Sequence, residues 1–134
     1  MTLDYNYKFD IGGLMDKYKL GDMEKRFADM IWENAPVQTR DLINLCAEDF
    51  DWKRTTTYTM LKRLCDRGIF INTDGTVKVL MEKEDFLAEK GEEFLDESFG
   101  GSLPKFITAF TQRKKISDQE IEEIQKLINE YREE

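Results

Sequence analysis

Residues Asp51–Gly68 read DWKRTTTYTMLKRLCDRG, and the way this stretch folds decides the rest. Gly68 can take the left-handed conformation that closes a helix, and Phe50-Asp51-Trp52 forms a turn ahead of it, so Lys53–Arg67 is predicted as one helix. Helical positions three and four apart share a face. Thr57, Leu61 and Leu64 therefore point to the core, with Cys65 alongside. The opposite side carries Arg54, Thr55, Tyr58 and Lys62, with Thr59 and Arg63 near its edge. Five cations in this helix (Lys53, Arg54, Lys62, Arg63, Arg67) face a single anion, Asp66. Threonine is a poor helix former, so Thr55-Thr56-Thr57 suggests a use other than helicity.

The flanking segments give this helix its setting. Asp22–Asn34 is a first helix, with Asp22 able to cap it and Met23, Phe27, Met30 and Ile31 at helical spacing. Ala35-Pro36 stops it, because the residue before proline avoids the α region. Thr39–Asp49 is a second helix, with Leu42, Ile43, Leu45 and Cys46 inward. After Gly68, Ile69–Asn72 and Val77–Leu80 flank Thr73-Asp74-Gly75-Thr76, and Asp-Gly between β-prone runs is a strong hairpin signal. This order predicts a mainly α chain with a small β-hairpin, a winged helix-turn-helix whose third helix is free to enter a major groove.

A lysine- and arginine-rich helix face is by itself usually solvated surface. The setting shifts the balance toward duplex DNA. Arginine reaches guanine edges bidentately and threonine bonds a base edge or touches a thymine methyl. Lys62 and Arg63 suit phosphates, which fix register. Lys78 brings charge to the wing. Trp52 reads as a core plug at the turn rather than a base-stacking side chain.

Beyond the wing, three helices are expected: Glu84–Phe99, Leu103–Phe110 with Pro104 in its first turn, and Ser117–Tyr131, opened by Ser117 and Glu120 as a capping box with Ile116 stapling onto Ile121. Their apolar residues include Phe94, Leu95, Phe99, Leu103, Phe106, Ile107, Phe110, Ile121, Ile124, Leu127 and Ile128. Helices this short cannot cover those side chains alone, and a twofold-related copy is the economical cover. The chain thus divides into an arm over 1–19, a DNA-binding domain over 20–82 and a helical dimerisation region over 83–134. In the arm, Leu3, Tyr5, Tyr7 and Phe9 alternate with polar residues, as a packed or swapped strand would; a disordered tail is the alternative.

Composition narrows the function. The formal net charge is -8 over 134 residues, yet fields act mainly within a Debye length of about 8–10 Å, so a local basic island can still hold a polyanion. There is no histidine, and Cys46 and Cys65 form no CxxC pair, so neither a metal site nor a cofactor is expected and both thiols read as reduced. No glycine-rich phosphate loop or nucleophile elbow points to an enzyme. No apolar run approaches the ~20 residues of a membrane span, and MTLDYNYKFD lacks the parts of a secretory signal. A soluble cytoplasmic protein with no membrane insertion is the expectation.

Three segments, MEKRFADMIWENAPVQTRDLI, WKRTTTYTMLKRLCDRGIF and FLDESFGGSLPKFITAFTQRKKISDQEIEEIQKLINE, together make residues 20–134 resemble the penicillinase and methicillin-resistance repressor family of bacterial winged-helix regulators. The resemblance implies a homodimeric repressor on a palindromic double-stranded DNA operator, with Arg54, Thr55, Thr56, Tyr58, Thr59 and Arg63 at the DNA. In the β-lactam-responsive branch a cut just before a phenylalanine of the dimerisation segment relieves repression. The matching bond is Ala109–Phe110, and the matching partner a membrane-bound sensor protease. The copper-sensing branch carries C-terminal cysteine pairs, and this chain has no cysteine after Cys65.

The chain departs from the family pattern in its lean wing, DGTVKV, in Lys53 where a serine cap is common, and in its acidity. Those features and the apolar arm support a second reading, a winged-helix adaptor that binds protein and little or no DNA.

Overall fold

The computed structural model describes residues 20–133. The arm over residues 1–19 lies outside the described residues. The elements run α1 (Asp22–Asn34), β1 (Val37–Gln38), α2 (Thr39–Phe50), α3 (Arg54–Asp66), β2 (Phe70–Thr73), β3 (Thr76–Val79), α4 (Lys83–Phe99), α5 (Leu103–Arg113) and α6 (Asp118–Glu133). The fold is mainly α with a small antiparallel sheet, a winged helix followed by C-terminal helices. Two compact units meet within α4, at Gly91 and Glu92.

In the first unit the apolar stripes of α1, α2 and α3 close on the sheet. Phe27, Ile31, Leu42, Leu64, Ile69, Phe70 and Val77 are fully buried, and side chains of this size contribute roughly 1.5–3 kcal/mol each on burial. Trp32 seals one end: its indole donates to the Met81 carbonyl at 3.0 Å and its ring lies 5.4 Å from Phe70 and 5.6 Å from Phe86. Trp52 plugs the other, 5.2 Å from Phe27 and 5.0 Å from Phe50.

The hairpin pairs Thr73 with Thr76, leaving Asp74 and Gly75 as a two-residue loop. Both have positive φ (52° and 80°), the conformation that matches the twist of the flanking strands. A third strand was not anticipated: β1 pairs Val37 with Val77 and Gln38 with Thr76. Two residues are too few to show a strand period, and Pro36 immediately ahead reads as an end rather than a beginning.

The start of α1 also differs from expectation. Gly21, not Asp22, is the cap, and its N–H donates to the Glu24 carboxylate at 3.1 Å. Asp22 falls inside the first turn, where its charge still complements the helix dipole. Met23, expected on the inner stripe of α1, is exposed.

The second unit has no comparable core. Among the described residues, none after Phe86 is buried. Phe94, Phe99, Phe106 and Phe110 form a chain of edge-on and tilted rings with centroids 5.5–5.9 Å apart. An apolar groove of about 540 Å³ lies between α5 and α6, floored by Phe106, Phe110, Ile121 and Ile124. The helix starts are well made nonetheless: Ser102 Oγ accepts from the Lys105 amide and Ser117 Oγ from the Glu120 amide, each at 3.1 Å.

Candidate nucleic-acid interface

The interface is built on α3, and what holds α3 in place is the sequence around Gly68. Gly68 has φ 80°, its N–H donates to the Cys65 carbonyl at 2.9 Å, and the Ile69 amide reaches back to the Leu64 carbonyl at 3.2 Å. These two bonds make a Schellman closure, which satisfies carbonyls the helix end would otherwise orphan. Ile69 is then fully buried, and its own carbonyl accepts from the amides of both Leu80 and Met81 at 3.0 Å. Helix and wing are thereby joined rigidly.

Thr57, Leu61 and Leu64 are buried under α3. Arg54, Thr55, Tyr58, Thr59, Lys62 and Arg63 are exposed, Thr56 is half-buried, and Lys53 is the exposed cap, without a side-chain hydrogen bond. The helix is one residue shorter at each end than the predicted Lys53–Arg67, because Lys53 has extended backbone angles and Arg67 is the C-cap.

Arg54, Tyr58, Lys62 and Asp66 are each four residues apart and form one ridge. The Arg54 guanidinium lies over the Tyr58 ring, 5.6 Å from its centroid, within cation–π range. Thr59 Oγ1 donates to the Thr55 carbonyl at 2.9 Å. Arg63 lies with Nη1 3.6 Å from the Met60 sulfur.

Two of the five cations are held by carboxylates. Lys62 Nζ is 2.9 Å from Asp66 Oδ2 on the same helix, and Arg67 Nη1 is 3.6 Å from Glu24 Oε2 on α1. Arg67 thus belongs to the packing of α3 against α1.

The wing contributes an exposed Lys78 on β3, opposite Ile71. Thr39 was not singled out from sequence, yet it fixes the wing tip. Its amide donates to the Gly75 carbonyl at 2.8 Å, and its buried hydroxyl lies 3.1 Å from the same oxygen and 3.4 Å from Asn72 Oδ1. A threonine opening a helix gives no sequence sign of a partner 36 residues away.

Cys46 and Cys65 are free thiols. Burial pushes both up from the usual thiol range; Thr57 lowers Cys46 against that trend, and the Asp66 charge raises Cys65 further. Both stay protonated near neutral pH. Among the described residues, no group of three or more His, Cys, Asp or Glu is placed to hold a metal ion, and no helix is long and apolar enough to cross a membrane.

Comparison with known proteins agrees with this architecture. The chain is 24% identical over 117 residues to the methicillin resistance regulatory protein MecI of Staphylococcus aureus strain Mu50, covering 84% of this chain and 94% of the relative. The proteins of the same name from Mammaliicoccus sciuri and Staphylococcus epidermidis are each 23% identical, with the same coverage. The sequence profile of the penicillinase repressor family matches residues 20–130, from the start of α1 almost to the end of α6, and the chain belongs to that family.

Proposed function

We propose that the chain is a sequence-specific DNA-binding transcriptional repressor that acts as a homodimer on a palindromic operator. One observation carries this reading: Arg54, Thr55, Tyr58, Thr59, Lys62 and Arg63 stand together on the open side of α3, while Thr57, Leu61 and Leu64 anchor its back. Arg54, Thr55, Thr56, Tyr58 and Thr59 are assigned to base edges. Lys53, Arg63 and Lys78 are assigned to phosphates, and Lys62 to one that competes with Asp66 for it. The family and the regulatory relatives support a repressor rather than an enzyme.

The bare apolar faces of α4, α5 and α6 support pairing of two chains. Phe94, Leu95, Phe99, Leu103, Phe106, Ile107, Phe110, Ile121, Ile124, Leu127 and Ile128 would line the seam. Each copy then reads one half-site, with centres about 34–36 Å apart.

Relief by proteolysis at Ala109–Phe110, by a membrane-bound sensor protease, is the part of the proposal that rests on the family resemblance alone. The bond lies inside α5, so a protease must first unwind a turn. Thr108 and Thr111 hydroxyls bond the Pro104 and Ile107 carbonyls at 2.8 Å there, a habit that weakens helix interiors.

A fluorescence-anisotropy titration on duplexes from the chain's own upstream region, over a salt series, tests the reading. Tight, salt-sensitive binding at one duplex with a two-chain stoichiometry is expected. Absence of salt-sensitive binding at micromolar protein would overturn it in favour of the protein-binding adaptor.

A further inference from the structure

The ridge Arg54–Tyr58–Lys62–Asp66 ends in a carboxylate, and that carboxylate holds the lysine one turn before it. Lys62 Nζ and Asp66 Oδ2 are 2.9 Å apart, with the two side chains 76% and 64% exposed.

Helix stability gives little reason for this pair. An acidic side chain at a helix C-terminus opposes the macrodipole. Lysine placed four residues before the acid is the weaker of the two orders. So exposed an ion pair contributes little. What the pair does do is neutralise a cation on the side of α3 that the proposed function turns toward DNA.

We propose that Asp66 is an internal stand-in for a DNA phosphate: it occupies Lys62 and holds down sequence-independent duplex binding. The proposal rests on the DNA-binding reading above. A free ammonium meeting a phosphate releases a condensed counterion, which drives association and makes it salt-dependent. Asp66 sets a negative charge beside any phosphate that Lys62 reaches, whether or not the two side chains stay in contact, so the pair together gains less from a phosphate than a lone ammonium would. Asp66, once released, faces the backbone as an uncompensated negative charge.

The device suits an acidic chain whose α3 is locally basic. It trims the one term of binding that does not distinguish an operator from other DNA. Arg54 is not trimmed in this way; its guanidinium lies on an aromatic ring rather than against a carboxylate.

The test is a double-mutant cycle on the full chain, with Asp66→Asn, Lys62→Gln and the double variant. Binding to a random-sequence duplex is measured by anisotropy between about 50 and 200 mM salt. Asp66→Asn is expected to tighten binding about threefold at the low-salt end and to steepen the log–log salt slope by about 0.9, the value of one further phosphate contact. Lys62→Gln in the native background is expected to change the slope by much less than that. The same substitution in the Asp66→Asn background is expected to remove the added slope.

Equal effects of Lys62→Gln in the two backgrounds would overturn the proposal and leave DNA binding standing. A native protein with no salt-dependent duplex binding would overturn the DNA-binding reading itself, and this proposal with it. Both side chains are exposed, so the variants are expected to keep the native far-UV circular dichroism spectrum.

Discussion

The two units of this chain solve the problem of apolar side chains in opposite ways. Around α1, α2, α3 and the sheet, Phe27, Ile31, Leu42, Leu64 and Phe70 are wholly shielded within one chain. From Leu87 to Glu133 not one described residue is buried, although Ile121, Ile124, Leu127, Ile128 and Tyr131 recur at helical spacing along α6. The helices of the second unit are well formed all the same: α5 and α6 run 11 and 16 residues and both open on a serine cap. The difference is in what the stripe meets. The first stripe closes on its own chain; the second stays exposed, and the proposed pairing of two chains would cover it.

Several substitutions set this contrast at risk. The largest effect is expected from a charge on the open stripe: Ile124→Asp should convert a two-chain species to one chain by analytical ultracentrifugation. Operator affinity should fall about 10²–10⁴-fold with it, since linked half-sites lose their effective concentration. A dimer that survives Ile124→Asp would mean that the seam lies elsewhere. In the closed unit, Phe70→Ala should lower stability by about 3–5 kcal/mol in denaturant titrations of the whole protein, because Phe70 is fully buried against Trp32. Arg54→Ala should leave stability unchanged and weaken operator binding by about 1–3 kcal/mol, with relaxed preference at one base position. Arg63→Ala should weaken binding to all duplexes alike and flatten the salt slope by about 1, and an unchanged slope would remove Arg63 from the phosphate contacts. Ser117→Ala should cost α6 about 1 kcal/mol, visible as a lower melting temperature with no change in DNA preference.

The two faces of α3 were legible because burial and exposure alternate there with the period of the helix. Leu61 and Leu64 against Tyr58 and Lys62 is a pattern that one strand of text contains. The wing was legible from Asp74-Gly75, whose positive φ angles few other pairs accept. Neither β1 nor the Thr39 contact could be read in the same way. Val37–Gln38 is shorter than any period, and the partner of Thr39 is set by the folded sheet, not by its neighbours in sequence. Capping of α1 by Gly21 depends on a Glu24 side chain turning back, which competes with an equally plausible cap at Asp22. Lys62 was assigned to phosphate from its type and face alone. That Asp66 takes it in the free protein depends on side-chain geometry that charge counting does not reveal.

Only Arg67, Gly68 and Ile69 separate α3 from β2, and Ile69 is buried with both of its backbone groups engaged. There is no slack in that joint for an insertion to enter. Added residues would enter more freely at Asp74 and Gly75, lengthening the hairpin outward and leaving α3 in place, at the cost of the Thr39 bonds to the Gly75 carbonyl.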